Sequence, residues 1–306
     1  MSKPPAVTGR WKLGLLLALG TSVMWGVLPI ALYFVVPTLG ATTTTFYRLA
    51  IAAILITPYL LLTHKLTNGH RLKSAKLSMQ ILLAGLLLAC NYGFYILGLE
   101  KTSAEAVQVM IQLAPVLLLL AGIWVFKERF TRVQWFGFAC FVIGLLMFFK
   151  QQLSQLLVSI NDYGYGLIIT VIAAVFWTGY AIVQKLLLKN FNSEETMLFF
   201  YWIGALVFLP LSDFSTTMQL TATEWALLIF CGLNTLIAYG CFAEALVHME
   251  ASRVSATIAI APLITIAIVQ LAPIDNILVE PLTWVSLIGA ILVVFGSILA
   301  ATGKRA

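Results

Sequence analysis

Apolar residues in this chain come in long blocks separated by short polar turns. Ten such blocks can be counted, at about 13–35, 43–62, 77–97, 104–126, 133–149, 164–187, 197–211, 223–246, 253–272 and 283–302. A helix needs roughly 20 apolar residues to cross the hydrocarbon core of a bilayer. The pattern therefore predicts an all-α polytopic membrane protein with ten transmembrane helices. The fifth and seventh blocks are the shortest, and re-entrant segments can have that length. The gaps between blocks are too short to hold a soluble domain. Lys3, Arg10 and Lys12 before the first block resemble the start of a signal peptide. The block is too long for one, however, and no small-residue cleavage pattern follows. It reads as a retained first span.

The blocks repeat. Leu113-Ala114-Pro115 is matched by Ile260-Ala261-Pro262, and Trp25 in span one by Trp177 in span six. Glu128-Arg129-Phe130-Thr131 is matched by Glu280-Pro281-Leu282-Thr283, and after each turn two glycines lie seven apart, Gly137 with Gly144 and Gly289 with Gly296. Self-similarity at a fixed offset marks a repeat architecture. It divides the chain into five-span units at 13–149 and 164–302. The second has about five extra residues, including Pro273-Ile274-Asp275-Asn276, before its turn. Five is odd, so the second unit is expected to be inserted upside down. Inverted repeats commonly build alternating-access transporters with a substrate site near the midplane.

Charge supports the inversion. Of 306 residues, 61% are hydrophobic and only 10% charged, with mean hydropathy +1.00, where soluble domains carry about 25% charge. The net charge of +6 is explained by location, with no need for a nucleic-acid partner. Fifteen of the eighteen Lys and Arg fall on the side of the termini and every second loop; Lys101 and Lys150 lie on the other side, and Arg48 lies within a span. Basic short loops stay cytoplasmic, so both termini are expected inside. The turn between spans four and five carries Lys127, Glu128, Arg129 and Arg132, net +2. Its counterpart carries Asp275 and Glu280, net −2. The four cysteines sit inside apolar blocks without metal-type spacing. No cofactor or metal is expected.

Polar and aromatic residues deep in the spans are the candidates for chemistry. Trp25 and Trp177 lie well inside, away from the interfacial belt. Span three offers Asn91 and Tyr95 on one face. Span four sets Glu105, Gln108, Gln112 and Pro115 on one stripe, with Ser252, Ser255, Ala259 and Pro262 at the same spacing in span nine. Tyr180, Tyr201 and Tyr239 come from spans six, seven and eight. These are the expected substrate-binding groups, with spans one, three, four, six, eight and nine lining a cavity. Glu105 and Glu244 are candidate coupling carboxylates, although Glu244 could instead pair with His248 or Arg253. Arg48 is costly in a bilayer, at about 3 kcal/mol on insertion scales. Either it snorkels to headgroups or it faces the cavity and holds an anionic group, with Glu105 as a possible protein partner.

The paired Trp motifs, the Ala-Pro centres of spans four and nine, and the Glu-x-x-Thr turns followed by Gly-x6-Gly resemble the drug/metabolite transporter superfamily, in its bacterial branch with two EamA domains. The resemblance spans nearly the whole chain. It implies ten helices, an inner-membrane location and secondary transport of small polar metabolites, often export of amino acids or their derivatives; some relatives instead take up vitamin- or nucleotide-like solutes. The implied partners are a small-molecule substrate and the bilayer, with the chain acting as a monomer or homodimer. An integral-membrane enzyme is disfavoured: only three histidines exist, and no acid–histidine cluster has metal spacing. No Gly-rich phosphate loop is visible. A passive channel fits inverted repeats less well.

Overall fold

A computed structural model describes residues 10–66, 73–114, 116–117, 120, 131–150, 161–248, 254, 257–272, 277–279 and 282–302. Among these residues there is no strand, and the fold is all-α. Spans one and two form a single helical element, Trp11–Leu62. The other helices are Ala75–Lys101, Ala104–Met110, Arg132–Phe148, Asp162–Leu187, Ser193–Phe208, Ala222–His248, Ala261–Leu271 and Trp284–Thr302. They coincide with the predicted spans. Two short 3-10 helices, Leu209–Leu211 and Phe214–Gln219, connect spans seven and eight.

The sequence pattern predicts a turn of several residues between spans one and two. Instead the helix runs through Pro37 and reverses at one residue, Gly40, with φ 72° and ψ 167°. Only glycine adopts that conformation without Cβ strain. A side chain there would meet no atom within 4 Å, so conformation alone makes the position special.

Both Glu-x-x-Thr turns prepare a helix start. Thr131 Oγ1 accepts from Gln134 N at 3.3 Å, and Gln134 Oε1 accepts from Thr131 N at 2.9 Å, a reciprocal cap. Thr283 Oγ1 likewise accepts from Ser286 N at 3.1 Å. The motif thus satisfies orphan backbone donors at each helix start. Glu128 and Glu280 lie outside the described residues, as do Pro115, Ser252, Ser255 and Arg253.

Equivalent spans run antiparallel to each other. In the seam of spans five and ten, Gly137 lies against Gly296 and Gly144 against Gly289. In spans four and nine, Gln112 meets Ala259 and Glu105 meets Gln270. In spans two and seven, Thr57 meets Trp202 and Thr43 meets Asp213. A helix antiparallel to its own copy means the two halves have opposite orientation, which is the inverted repeat. The remaining large seams, one with eight and three with six, exchange with each other under the same operation.

Spans four and nine are each interrupted near mid-length. Gln112 N bonds back only to Val109 O, and Ile260 N to Thr257 O, before the helix resumes in each. Pro262 then occupies the first turn of Ala261–Leu271, where its missing N–H costs nothing. Gln112 Nε2 donates to Ala259 O at 2.8 Å, joining one break to the other. Because 112 and 259 are equivalent positions (259 − 112 = 147, as for the prolines), this bond sits on the pseudo-twofold axis.

Candidate functional site

Arg48 lies eight residues beyond Gly40, so at 1.5 Å per residue its Cα is about 12 Å along the helix from that reversal. It does not snorkel: the residue is 3% exposed. Its guanidinium carbon sits 4.5 Å from the centre of the Tyr92 ring, a cation–π contact. Nε donates to Thr235 Oγ1 at 3.3 Å. Neither Nη group has a protein acceptor, and no carboxylate comes within ion-pairing distance, among the described residues.

Glu105 is not the partner of Arg48. Its carboxylate is fully buried and accepts from Gln270 Nε2 at 2.8 Å, which ties the first turn of span four to the last turn of span nine. Glu244 is also away from the centre, with an exposed side chain 3.2 Å from His248, one of the two partners expected from the sequence.

A shell of aromatic residues gathers about the Tyr92 ring that faces Arg48. Tyr92, Tyr180, Tyr201 and Tyr239, from spans three, six, seven and eight, belong to one buried cluster, with Trp25 and Trp177 packed against it. Trp25 meets Tyr239 edge-on, with centroids 5.1 Å apart, and Trp177 meets Tyr180 at 6.4 Å. Tyr201 Oη donates to Thr235 O at 3.0 Å, and Tyr180 Oη contacts Met197 Sδ at 3.5 Å. The Tyr92 hydroxyl lies beside Tyr239 and Thr235 but outside hydrogen-bond geometry with either, buried and unpaired.

On the flank of this shell, Tyr95 Oη donates to Gln108 Oε1 at 2.9 Å, and Gln108 Nε2 to Trp25 O at 3.3 Å. The structure turns Asn91 elsewhere: its Nδ2 donates to Ala173 O at 3.0 Å, in the seam with span six. Its neighbour Tyr92 faces Arg48 instead and is the site residue that sequence reading passed over. A recess of about 600 Å³ between spans one and eight is lined by apolar residues such as Val27, Phe34 and Phe230 together with Thr221, Thr223 and Glu224, and none of the aromatic residues of this cluster lines it.

Chemically, the cluster offers one fixed positive charge with unused planar donors, several phenol hydroxyls and aromatic faces. It contains no nucleophile–base pair, and no group of three or more potential metal ligands occurs among the described residues. Replacing Trp25, Tyr180 or Tyr239 with alanine is expected to impair transport severalfold or more without changing membrane abundance. Vesicle flux and immunoblotting of the same membranes check this together.

Matched spans that run antiparallel around a buried polar centre define a polytopic membrane protein of the inverted-repeat type. The model of the EamA-like transporter family matches residues 12–150 and 164–302, one match per half. The chain belongs to the EamA-like transporter family. An uncharacterized transporter of Haemophilus influenzae is 35% identical over 297 residues, covering 96% of both chains. The uncharacterized inner membrane transporter YhbE of Escherichia coli is 33% identical over 296 residues, 96% of this chain and 92% of that one. The pseudopaline exporter CntI of Pseudomonas aeruginosa is 24% identical over 246 residues, covering 80% of this chain and 82% of that one.

Proposed function

We propose that this protein exports small carboxylate-bearing metabolites, amino acids or their derivatives, across a bacterial inner membrane by alternating access. The observation that carries the reading is Arg48, buried between spans of both halves with neither Nη group engaged among the described residues. A planar guanidinium matches a carboxylate with two parallel hydrogen bonds, and burial strengthens that interaction relative to water. Both halves contribute to the shell around it, as a site between moving halves requires. The exporter named among the relatives supports the direction, and the inner membrane relative supports the location.

Reconstituted protein tests this reading. A carrier gives saturable flux that is accelerated by substrate on the far side, whereas a channel gives neither and an enzyme leaves an altered product. In the proposed orientation both termini face the cytoplasm, following the basic loops. Single cysteines introduced at positions 2 and 304 are expected to react with impermeant maleimide only in inside-out vesicles. Labelling of either in intact cells contradicts the orientation.

A further inference from the structure

The charge of the centre narrows the solute further, on the assumption that Arg48 is the substrate-binding group just proposed. The chain has twelve Asp and Glu in all. The eight among the described residues are Glu100, Glu105, Asp162, Glu194, Glu195, Asp213, Glu224 and Glu244, and each sits in a loop or near the end of a helix. Glu195 caps span seven through Asn192 N, and Glu224 is held by Thr38 and Thr221. The groups facing Arg48 are neutral: Thr235 and Cys231 from span eight, Tyr92 and Tyr95 from span three, and Tyr201 from span seven.

We propose that this centre selects net-anionic carboxylates, such as N-acylated amino acids or 2-oxo acids, over zwitterionic α-amino acids. An isolated buried cation is costly until an opposite charge neutralises it. A monoanion does so completely. A zwitterion brings an ammonium within a few ångströms of the guanidinium, where the like charges repel and, among the described residues, no carboxylate stands ready to pair with it. The face of the Tyr92 ring is already taken by the guanidinium. The unpaired Tyr92 hydroxyl can instead donate to a second oxygen of the solute, the kind of neutral donor an acyl carbonyl or 2-oxo group accepts from.

The test uses the full-length purified protein and matched solutes in an alanine and a phenylalanine series: the free amino acid, its N-acetyl derivative, and the N-acetyl amide that lacks the carboxylate. Binding is read from the shift in melting temperature with concentration, and transport from counterflow in vesicles. The N-acetyl acid is expected to half-saturate at a concentration at least tenfold below that of the free amino acid, with no response to the amide. Arg48→Gln is expected to abolish that preference while keeping a monodisperse, folded protein. Tyr92→Phe is expected to reduce it severalfold. Equal response to free amino acid and N-acetyl acid overturns charge selection but leaves carboxylate transport standing. Equal response to acid and amide overturns the carboxylate reading itself. Response to none of them at about 10 mM, well beyond usual KM values, overturns both.

Discussion

Arg48→Lys lowers carboxylate transport by about 10- to 100-fold at unchanged protein level; that is the result expected if the guanidinium serves the substrate. Hydrogen bonds to a charged group contribute about 1.5–3 kcal/mol each on a net basis. Lysine keeps the positive charge but cannot form the paired, planar contact. It also loses the stacked geometry over Tyr92 and the Nε bond to Thr235. The conservative exchange discriminates better than alanine, which removes the charge and leaves a void. An arginine that merely reached for headgroups would be replaced by lysine almost silently. Initial rates against substrate concentration in vesicles decide, and wild-type kinetics for the lysine variant would remove Arg48 from the site.

The second large effect is expected in the seam of spans five and ten. A Cβ added to Gly144 would lie 2.6 Å from Val293 N and 2.7 Å from Gly289 O, and one added to Gly296 would lie 2.4 Å from Phe141 N. These neighbours are backbone, so they cannot rotate aside. In a bilayer, helix association depends on close approach of this kind, because lipid removes the hydrophobic drive. Gly144→Leu is therefore expected to abolish accumulation of folded protein. Gly144→Ala is expected to cost about 1–3 kcal/mol, the usual range for overpacking, and to lower the melting midpoint in detergent by several degrees. Gly240→Ala is the matched control, since nothing lies within 4 Å of its added Cβ. Equal behaviour of the Gly144 and Gly240 variants would contradict the seam.

The repeat was legible because it is written in residues with strict geometric duties. Seven-residue glycine spacing puts both glycines on one helix face, and the Ala-Pro pair marks the break in each of spans four and nine. Arg48 was legible for a different reason: a cation inside a span has few tolerable explanations. The orientation of span three was harder to read. Asn91 and Tyr92 are neighbours about 100° apart on a helix, and local sequence does not say which one faces the centre. The packing of glycines fixes the rotation. Gly98, seven residues after Asn91, abuts Gly166 and Thr170 of span six, while Gly85 and Gly93 abut Ile203 and Phe208 of span seven. That leaves Tyr92 and Tyr95 pointing inward. The Asn91–Gly98 spacing was a signal available in the sequence, but its meaning depended on knowing that span six lay alongside. The reversal at Gly40 falls inside the gap between the first two apolar blocks, but the sequence does not say that one residue suffices to make it.

The hydrogen bond between Gln112 and Ala259 lies where the two halves exchange places. If each half adopts the shape its counterpart has now, the molecule opens to the opposite side, and every contact maps to its image. Contacts on the axis map to themselves. In such an exchange the seams of spans two with seven, four with nine and five with ten would stay intact as a pivot. The seams of one with eight and three with six would trade geometries. Thr21 and Asn234 bond across the first of these, and Asn91 and Gly98 pack across the second. A short cross-link across the pivot should be harmless, whereas the same link across either of the other two seams should arrest the carrier in one orientation.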